Sequence, residues 1–143
     1  MGMAATRPYS DILARLRAAG LRPTRQRLAL GKLLFAGENR HVTAEMLHEE
    51  AVGNNIQVSL ATVYNTLNQF TDAGLLREVV VEAGRAYFDT NTSSHHHFFH
   101  VDSGELEDLS DQSVHLARLP DLPEGTILDR VDVVVRVREE RKN

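Results

Sequence analysis

The chain changes its hydrophobic period once, near Gly74, and that change constrains the fold more than any other feature. Before it, apolar residues recur at helical spacing. Ser10 followed by Ile12, Leu13 and Leu16 predicts a short amphipathic helix that Gly20 ends. Thr24, after Pro23, is placed to cap a second helix through Leu28, Leu30, Leu33, Leu34 and Phe35. Thr43-Ala44-Glu45-Met46 opens a third, with Leu47 and Ala51 on its inner face and Gly53-Asn54-Asn55 closing it. Ser59 caps a fourth, in which Leu60, Val63, Leu67 and Phe70 form the buried stripe and Gly74 stands where the helix must stop. Beyond Gly74 the pattern predicts two strands, Leu75–Val81 and Ala86–Asp89, around a turn at Ala83-Gly84-Arg85. Helices followed by a hairpin is the order of a winged helix-turn-helix.

A polar run of turn formers, Thr90-Asn91-Thr92-Ser93-Ser94, then breaks the chain. After it the pattern predicts a strand (His95–Val101), a turn at Asp102-Ser103-Gly104, a strand (Glu105–Leu109), a short helix (Asp111–Leu119), a Pro-bounded loop and a last strand (Ile127–Val137). In that last segment Val131, Val133, Val135 and Val137 alternate with Asp132, Arg136 and Arg138, the period of a half-buried strand. The expected class is therefore α+β, with a winged helix-turn-helix domain at 1–90, a hinge at 91–94 and a small α/β dimerisation domain at 95–143. Fewer than about 50 residues seldom build an adequate core alone, so the second domain is expected to lean on another copy of the chain in a homodimer.

The chain has no cysteine, which excludes disulfides, Cys-ligated zinc, iron–sulfur clusters and thiol catalysis. No run of about 18 apolar residues is present and the N-terminus lacks the apolar core of a secretory signal, so the expected location is the cytoplasm, with no membrane partner. A net charge of −4 argues at face value against nucleic acid. The charge is unevenly spread, however. Met1–Lys32 carries seven basic residues (Arg7, Arg15, Arg17, Arg22, Arg25, Arg27, Lys32) against Asp11, whereas His95–Asn143 carries six basic and eleven acidic residues. A basic head and an acidic tail suit a two-function chain.

Two constellations carry chemistry. If Leu60, Val63, Leu67 and Phe70 face inward, Ala61, Thr62, Asn65 and Gln69 face out, and Tyr64 sits at the edge with its hydroxyl free. Small residues at a helix N-terminus permit close approach to a groove, Asn suits bidentate recognition of adenine, and Thr or Ala methyls suit thymine. Ser59 opens this helix, Thr24 opens the one before it, and Arg22, Arg25 and Arg27, with Arg77 and Arg85 near the hairpin, are the expected phosphate anchors. The bland alternative is a solvated amphipathic helix. The second constellation is His95-His96-His97 followed by His100. Along a strand His95 and His97 point one way and His96 and His100 the other. Paired imidazoles on one strand face start a Zn, Mn or Fe site, to be completed by carboxylates or a further His. A purification tag would be terminal; this run is internal.

The array Gly20-Leu21-Arg22-Pro23-Thr24-Arg25-Gln26-Arg27, His41-Val42-Thr43-Ala44-Glu45, Ala61-Thr62-Val63-Tyr64-Asn65-Thr66-Leu67, Ala73-Gly74-Leu75 and the His run resembles the ferric uptake regulator (Fur) superfamily over almost the whole chain. Within it, Asn65 directly after Tyr64 and the triple His are similar to the iron response regulators (Irr) of alphaproteobacteria. The resemblance implies a dimeric winged-helix repressor of iron and haem homeostasis genes that binds double-stranded operator DNA. It implies a regulatory metal, Mn, Fe or Zn, on His41, Asp89, His95, His97 and Asp108. It also implies a second site overlapping His96 and His115, with Asp132 where many members have His, and haem binding through His95, His96, His97 or His100. The Cys-x-x-Cys pairs and the Cys-Pro haem motif found among relatives are absent. The alternatives are a peroxide- or zinc-responsive regulator on the same scaffold, a metal-dependent enzyme using the His cluster, and an interaction protein whose His run is incidental.

Overall fold

The computed structural model describes residues 10–141. Arg7, part of the basic head, lies outside them. The chain divides into two compact units, with the boundary between Thr92 and Ser93.

The first unit runs α1 (Ser10–Ala18), α2 (Arg25–Phe35), β1 (His41–Val42), α3 (Ala44–Gly53), α4 (Leu60–Asp72), β2 (Arg77–Glu82) and β3 (Arg85–Asp89). Each of the last three helices starts where a hydroxyl can take an unpaired amide proton. Thr24 Oγ1 accepts from Arg27 N at 3.2 Å, Thr43 Oγ1 from Met46 N at 3.1 Å and Ser59 Oγ from Thr62 N at 3.1 Å. The ends obey the complementary rule. Gly74 stands at φ 83°, letting Leu75 N reach Phe70 O at 2.9 Å. At the end of α3 the left-handed residue is Asn55 (φ 60°) rather than Gly53, with Ile56 N bonded to Ala51 O at 2.9 Å.

The stripes meet in one core that includes Leu16, Leu30, Leu34, Leu47, Leu67 and Phe70, all fully buried. Each such side chain contributes roughly 1.5–3 kcal/mol by leaving water. Leu60, expected in the stripe, is only half-buried, and Thr66 is buried in its place beside Val63, Leu67 and Phe70. The sheet order is β1-β3-β2, all antiparallel, with Asp89 opposite both His41 and Arg77. Strand β1 has no sequence signal because two residues cannot display a period. It is held by position: Arg40 N donates to Thr90 Oγ1 at 2.8 Å and Thr90 N to Arg40 O at 3.0 Å, while the Arg40 guanidinium forks onto Glu50 at 2.8 and 2.5 Å.

The second unit runs β4 (His96–His100), β5 (Leu106–Leu109), a single 3-10 turn (Asp111–Ser113) and β6 (Val134–Val137). The order is β5-β4-β6, with β5 antiparallel and β6 parallel to β4. Two expectations are corrected here. The predicted helix Asp111–Leu119 is only the turn that Ser110 caps. Leu116 and Leu119 are each 48% exposed, so no apolar face is buried to hold a short helix whose nucleation is unfavourable. The predicted strand Ile127–Val137 is formed only at Val134–Val137, because its partner β4 offers five residues and pairs it from His97 to His100. Ile127, at 91% exposed, lies well outside the ladder.

Candidate functional site

Helix α4 presents Ala61, Tyr64, Asn65, Asn68 and Gln69 outward, with Thr62 half-buried. Its N-terminus is rigid at the side-chain level. Ser59 Oγ, besides capping, donates to Thr62 Oγ1 at 2.9 Å, so Thr62 keeps its own proton and methyl for a partner. Asn65 is exposed one turn further on.

The basic residues separate into two kinds. Arg22 and Arg25 are exposed where α2 begins. Arg27 is instead a strut between helices: its guanidinium donates to Arg22 O at 2.8 Å and to Gln69 Oε1 at 2.9 and 3.3 Å, tying the start of α2 to the outer face of α4. Arg77, expected as a phosphate anchor, is 5% exposed and opens β2 across from Asp89, so it belongs to the interior of the unit. Arg85 is exposed and pairs with Glu82 at 3.3 Å in the hairpin.

The Tyr64 hydroxyl is not free as the sequence suggested. It donates to Glu45 Oε1 at 2.6 Å, from the outer face of α4 to the first turn of α3. The bond holds the Glu45 carboxyl below its usual range, helped by its own backbone amide, and raises the phenol above its ordinary value. Nothing in the Thr43-Ala44-Glu45 signature distinguished this acid from an ordinary helix-start residue.

Ligand-type side chains gather in each unit. In the first, His41 Nε2 lies 3.3 Å from Asp89 Oδ2, and Asp89, fully buried, also accepts from Asn91 N at 2.9 Å through Oδ1. In the second, His95 Nε2 and His97 Nε2 approach the same oxygen, Asp108 Oδ1, at 3.1 and 3.3 Å. Both rings are buried and their centroids are 4.5 Å apart. They face alike because β4 alternates, and Asp108 meets them because the β4–β5 register sets it opposite His97.

The tautomer of His95 decides what this cluster suits. His95 Nδ1 lies 2.7 Å from Ser93 O, and a carbonyl can only accept, so Nδ1 carries the proton. In the neutral ring Nε2 then turns a lone pair toward a carboxylate oxygen 3.1 Å away. Two lone pairs at that distance repel unless a proton or a cation lies between them. A metal-ligating histidine characteristically donates its other ring N–H to a backbone carbonyl or carboxylate, as His95 Nδ1–H does to Ser93 O. Two imidazole nitrogens and a carboxylate fit Mn²⁺, Fe²⁺ or Zn²⁺. Ser93, whose carbonyl sets the tautomer, was read only as part of the linker.

The remaining histidines are placed differently. His96 and His100 lie on the other, half-exposed face of β4. His96 Nδ1 accepts from Val133 N at 3.2 Å, and His100 Nε2 pairs with Glu107 at 2.9 Å. His115 is exposed, and Asp132 is paired with Arg130 at 2.9 Å. Among the described residues His96, His115 and Asp132 are not gathered into a metal-ligand group within this unit.

A capped helix α4, open along one face and followed by a two-stranded hairpin, defines a winged-helix DNA-binding class of protein, here carrying nitrogen- and oxygen-donor clusters. Residues 18–120 match the ferric uptake regulator family, and the chain belongs to it. The ferric uptake regulation protein of Klebsiella pneumoniae is 37% identical over 102 residues, 71% of this chain and 66% of that protein. The fold is similar to that of the Vibrio cholerae ferric uptake regulator (TM-score 0.70, 27% identity, 90% of this chain and 99% of that one). It is also similar to the Pseudomonas aeruginosa ferric uptake regulator with manganese (TM-score 0.68, 29% identity, 90% and 97%). Members of the family are metal-responsive transcription regulators, which sets aside the metal-dependent enzyme. No helix among the described residues is long and apolar enough to cross a membrane.

Proposed function

We propose that the chain is a homodimeric, cytoplasmic transcription regulator whose binding to double-stranded DNA depends on a divalent metal, and that iron and haem supply are the signals it reads. The observation that carries the metal half is the His95–Asp108–His97 cluster, two buried imidazoles on one exposed carboxylate, with His95 Nδ1–H held by Ser93 O so that Nε2 is the atom turned to the carboxylate. His95, His97 and Asp108 are assigned as ligands, with His41 and Asp89 as the further ligands that the family resemblance adds. A divalent ion held by these side chains would offset the charge of the Asp108 carboxylate between the two rings. The protein's own groups do the rest: Ser93 O orients His95, and the β4–β5 ladder holds Asp108 against His97.

Arg22, Arg25, Thr24, Arg27, Ser59, Ala61, Thr62, Tyr64 and Asn65 are assigned to the DNA face. Thr24 and Ser59 act as caps, Arg27 as the strut that aims Gln69, and Thr62, Tyr64 and Asn65 as candidates for base contact. Arg22 and Arg25 are the phosphate anchors. The haem half rests on the resemblance of Asn65 after Tyr64 and of the His run to the iron response regulators; His95, His96, His97 and His100 are the axial ligands this reading assigns.

The test is a titration of the full chain with Mn²⁺ and, separately, with haem, reading thermal midpoint, haem absorbance and affinity for a duplex library. Mn²⁺ at about 100 times its Kd should add about 2.7 kcal/mol of stability and change DNA affinity, and H95A/H97A should lose both effects. An unchanged midpoint in wild type overturns the metal assignment. Haem should give an absorbance band that is lost when His95, His96, His97 and His100 are all replaced. A +16 mass shift on His41 or His95 after Fe²⁺ and peroxide, with loss of DNA binding, would transfer the reading to the peroxide alternative.

A further inference from the structure

We propose that Glu45 is a positioning residue for DNA sequence readout: by taking the Tyr64 proton it leaves the phenol oxygen only as a hydrogen-bond acceptor on the DNA face and keeps phosphate away from it. The proposal rests on the reading that α4 enters a groove of duplex DNA.

A tyrosine hydroxyl has one proton and two lone pairs. In Tyr64 the proton is committed to Glu45 Oε1 at 2.6 Å, so only the lone pairs remain for another molecule. Phosphate oxygens are acceptors and cannot use them. In the major groove the partners that can are the amino groups, N6 of adenine and N4 of cytosine. An uncommitted phenol would donate to any phosphate within reach and read nothing. Glu45 therefore selects which kind of DNA group Tyr64 can meet.

The placement is built rather than incidental. Thr43 caps α3 two residues earlier, which fixes the first turn, and a carboxylate there is favoured by the helix N-terminus. Tyr64 is 40% exposed on the same arc as Ala61, Asn65 and Asn68. Its ring has two side-chain torsions, so one bond at the tip fixes where the oxygen stands. Charge acts in the same direction. Glu78 and Glu82 line the cleft that Glu45 and Tyr64 share between α4 and the hairpin, and the Arg85 beside them is paired with Glu82. A phosphate approaching the phenol from that side meets carboxylates.

The experiment uses the full chain with Mn²⁺ present and a duplex library with a randomised centre. Wild type, E45Q, E45A, Y64F and E45A/Y64F are compared by selection and then by affinity for the selected duplex and for a scrambled one. Wild type should enrich a motif. E45A should gain affinity for scrambled DNA, and its selected-to-scrambled ratio should fall about fivefold or more, the low end of one lost base contact. E45Q keeps an acceptor for the phenol but not the charge, and should fall between E45A and wild type. E45A/Y64F should show the ratio of Y64F alone, since both changes remove one device. A difference absorbance titration of E45Q against E45Q/Y64F should show the Tyr64 phenol ionising at lower pH than wild type against Y64F does, which reports the bond itself, while the selected-to-scrambled ratio is the readout that a merely structural role would leave unmoved. A motif and ratio in E45A within twofold of wild type, or additive losses in E45A/Y64F, overturn the proposal while leaving DNA binding intact. A wild-type chain that enriches no motif overturns the DNA reading itself, and this inference with it.

Discussion

Gly31 sits in the interior of α2, where replacing Gly by Ala ordinarily stabilises a helix by about 1 kcal/mol. In this chain the sign should reverse. A Cβ built on Gly31 would lie 2.7 Å from Ile12 Cγ2, whereas a comfortable carbon–carbon contact is about 3.5–4.0 Å. One of the two groups must move by roughly an ångström. Ile12 cannot swing into solvent, since it is 4% exposed and buried in the face that α1 turns inward. Its Cγ2 is on the β-carbon, so no distal torsion carries it clear. Overpacking costs about 1–3 kcal/mol, and a clash this deep against a side chain with no free torsion belongs in the upper half of that range, so after the propensity gain of about 1 kcal/mol G31A should lose about 1–2 kcal/mol net. Urea unfolding of wild type and G31A reads this as a lower midpoint at unchanged m-value. Truncating the clashing methyl separates the two terms: I12A/G31A should be more stable than the sum of I12A and G31A losses predicts, by about 1 kcal/mol or more. A G31A protein as stable as wild type, or additive losses in the double variant, would refute the close-packing argument.

Arg25→Ala should weaken binding to all duplexes alike and lower the slope of log affinity against log salt by about one, measured by anisotropy across a salt series; an unchanged slope removes Arg25 from the phosphate anchors. Asn65→Ala should cost about 1–3 kcal/mol on a selected duplex and almost nothing on a scrambled one, because an exposed amide on α4 reads base edges rather than backbone. The Tyr64–Glu45 bond should impose a pH window on stability. Glu45 is depressed, so its contribution is present above its ordinary value near pH 4.3 and is lost as pH falls through the lowered one. Tyr64 is raised, so its contribution is present below about pH 10 and is lost as pH rises through the raised value. The difference in urea midpoint between wild type and Y64F should therefore be widest at neutral pH and close at both extremes, and a difference constant with pH would contradict the bond.

The first unit was legible because its signals are local. Thr24, Thr43 and Ser59 are each the residue that can accept an unpaired amide proton, and all three do so. Val63, Leu67 and Phe70 show the stripe by spacing alone. What spacing could not show was the fate of polar tips. Tyr64 and Glu45 are 19 positions apart and meet only because α3 and α4 pack together, and Arg27 and Gln69 are separated by 42 positions. The alternation of the His run predicted its two faces, yet the property that makes His95 a ligand, which of its nitrogens holds the proton, is set by a backbone carbonyl two residues earlier. Arg77 was misread because a basic residue beside a wing looks like an anchor until a buried Asp89 is found opposite it.

The second unit was misread for a different reason, and that reason bears on how it is held together. Among the described residues its buried apolar side chains are Phe99 and Leu106, whereas Leu116, Leu119, Leu122, Ile127 and Leu128 are exposed. The apolar residues that suggested a helix and a long strand in the sequence are present, but within one chain they have nothing to bury against. A three-stranded sheet with so few core side chains falls short of the conformational entropy it must offset, at about 1–2 kcal/mol per ordered residue. With no cysteine, neither a disulfide nor a thiolate metal can make up the difference. Two devices remain on this chain's own residues. One is a second copy covering the exposed leucines, and the other is a cation on His95, His97 and Asp108, which would cross-link β5 to β4 and to the residue just before it. If both act, metal removal should lower the thermal midpoint more steeply in dilute protein than in concentrated protein. Dilution loosens the copy just as chelation loosens the strand pair. A midpoint that responds to chelator but not to protein concentration would leave the metal as the sole brace and remove the second copy from the account.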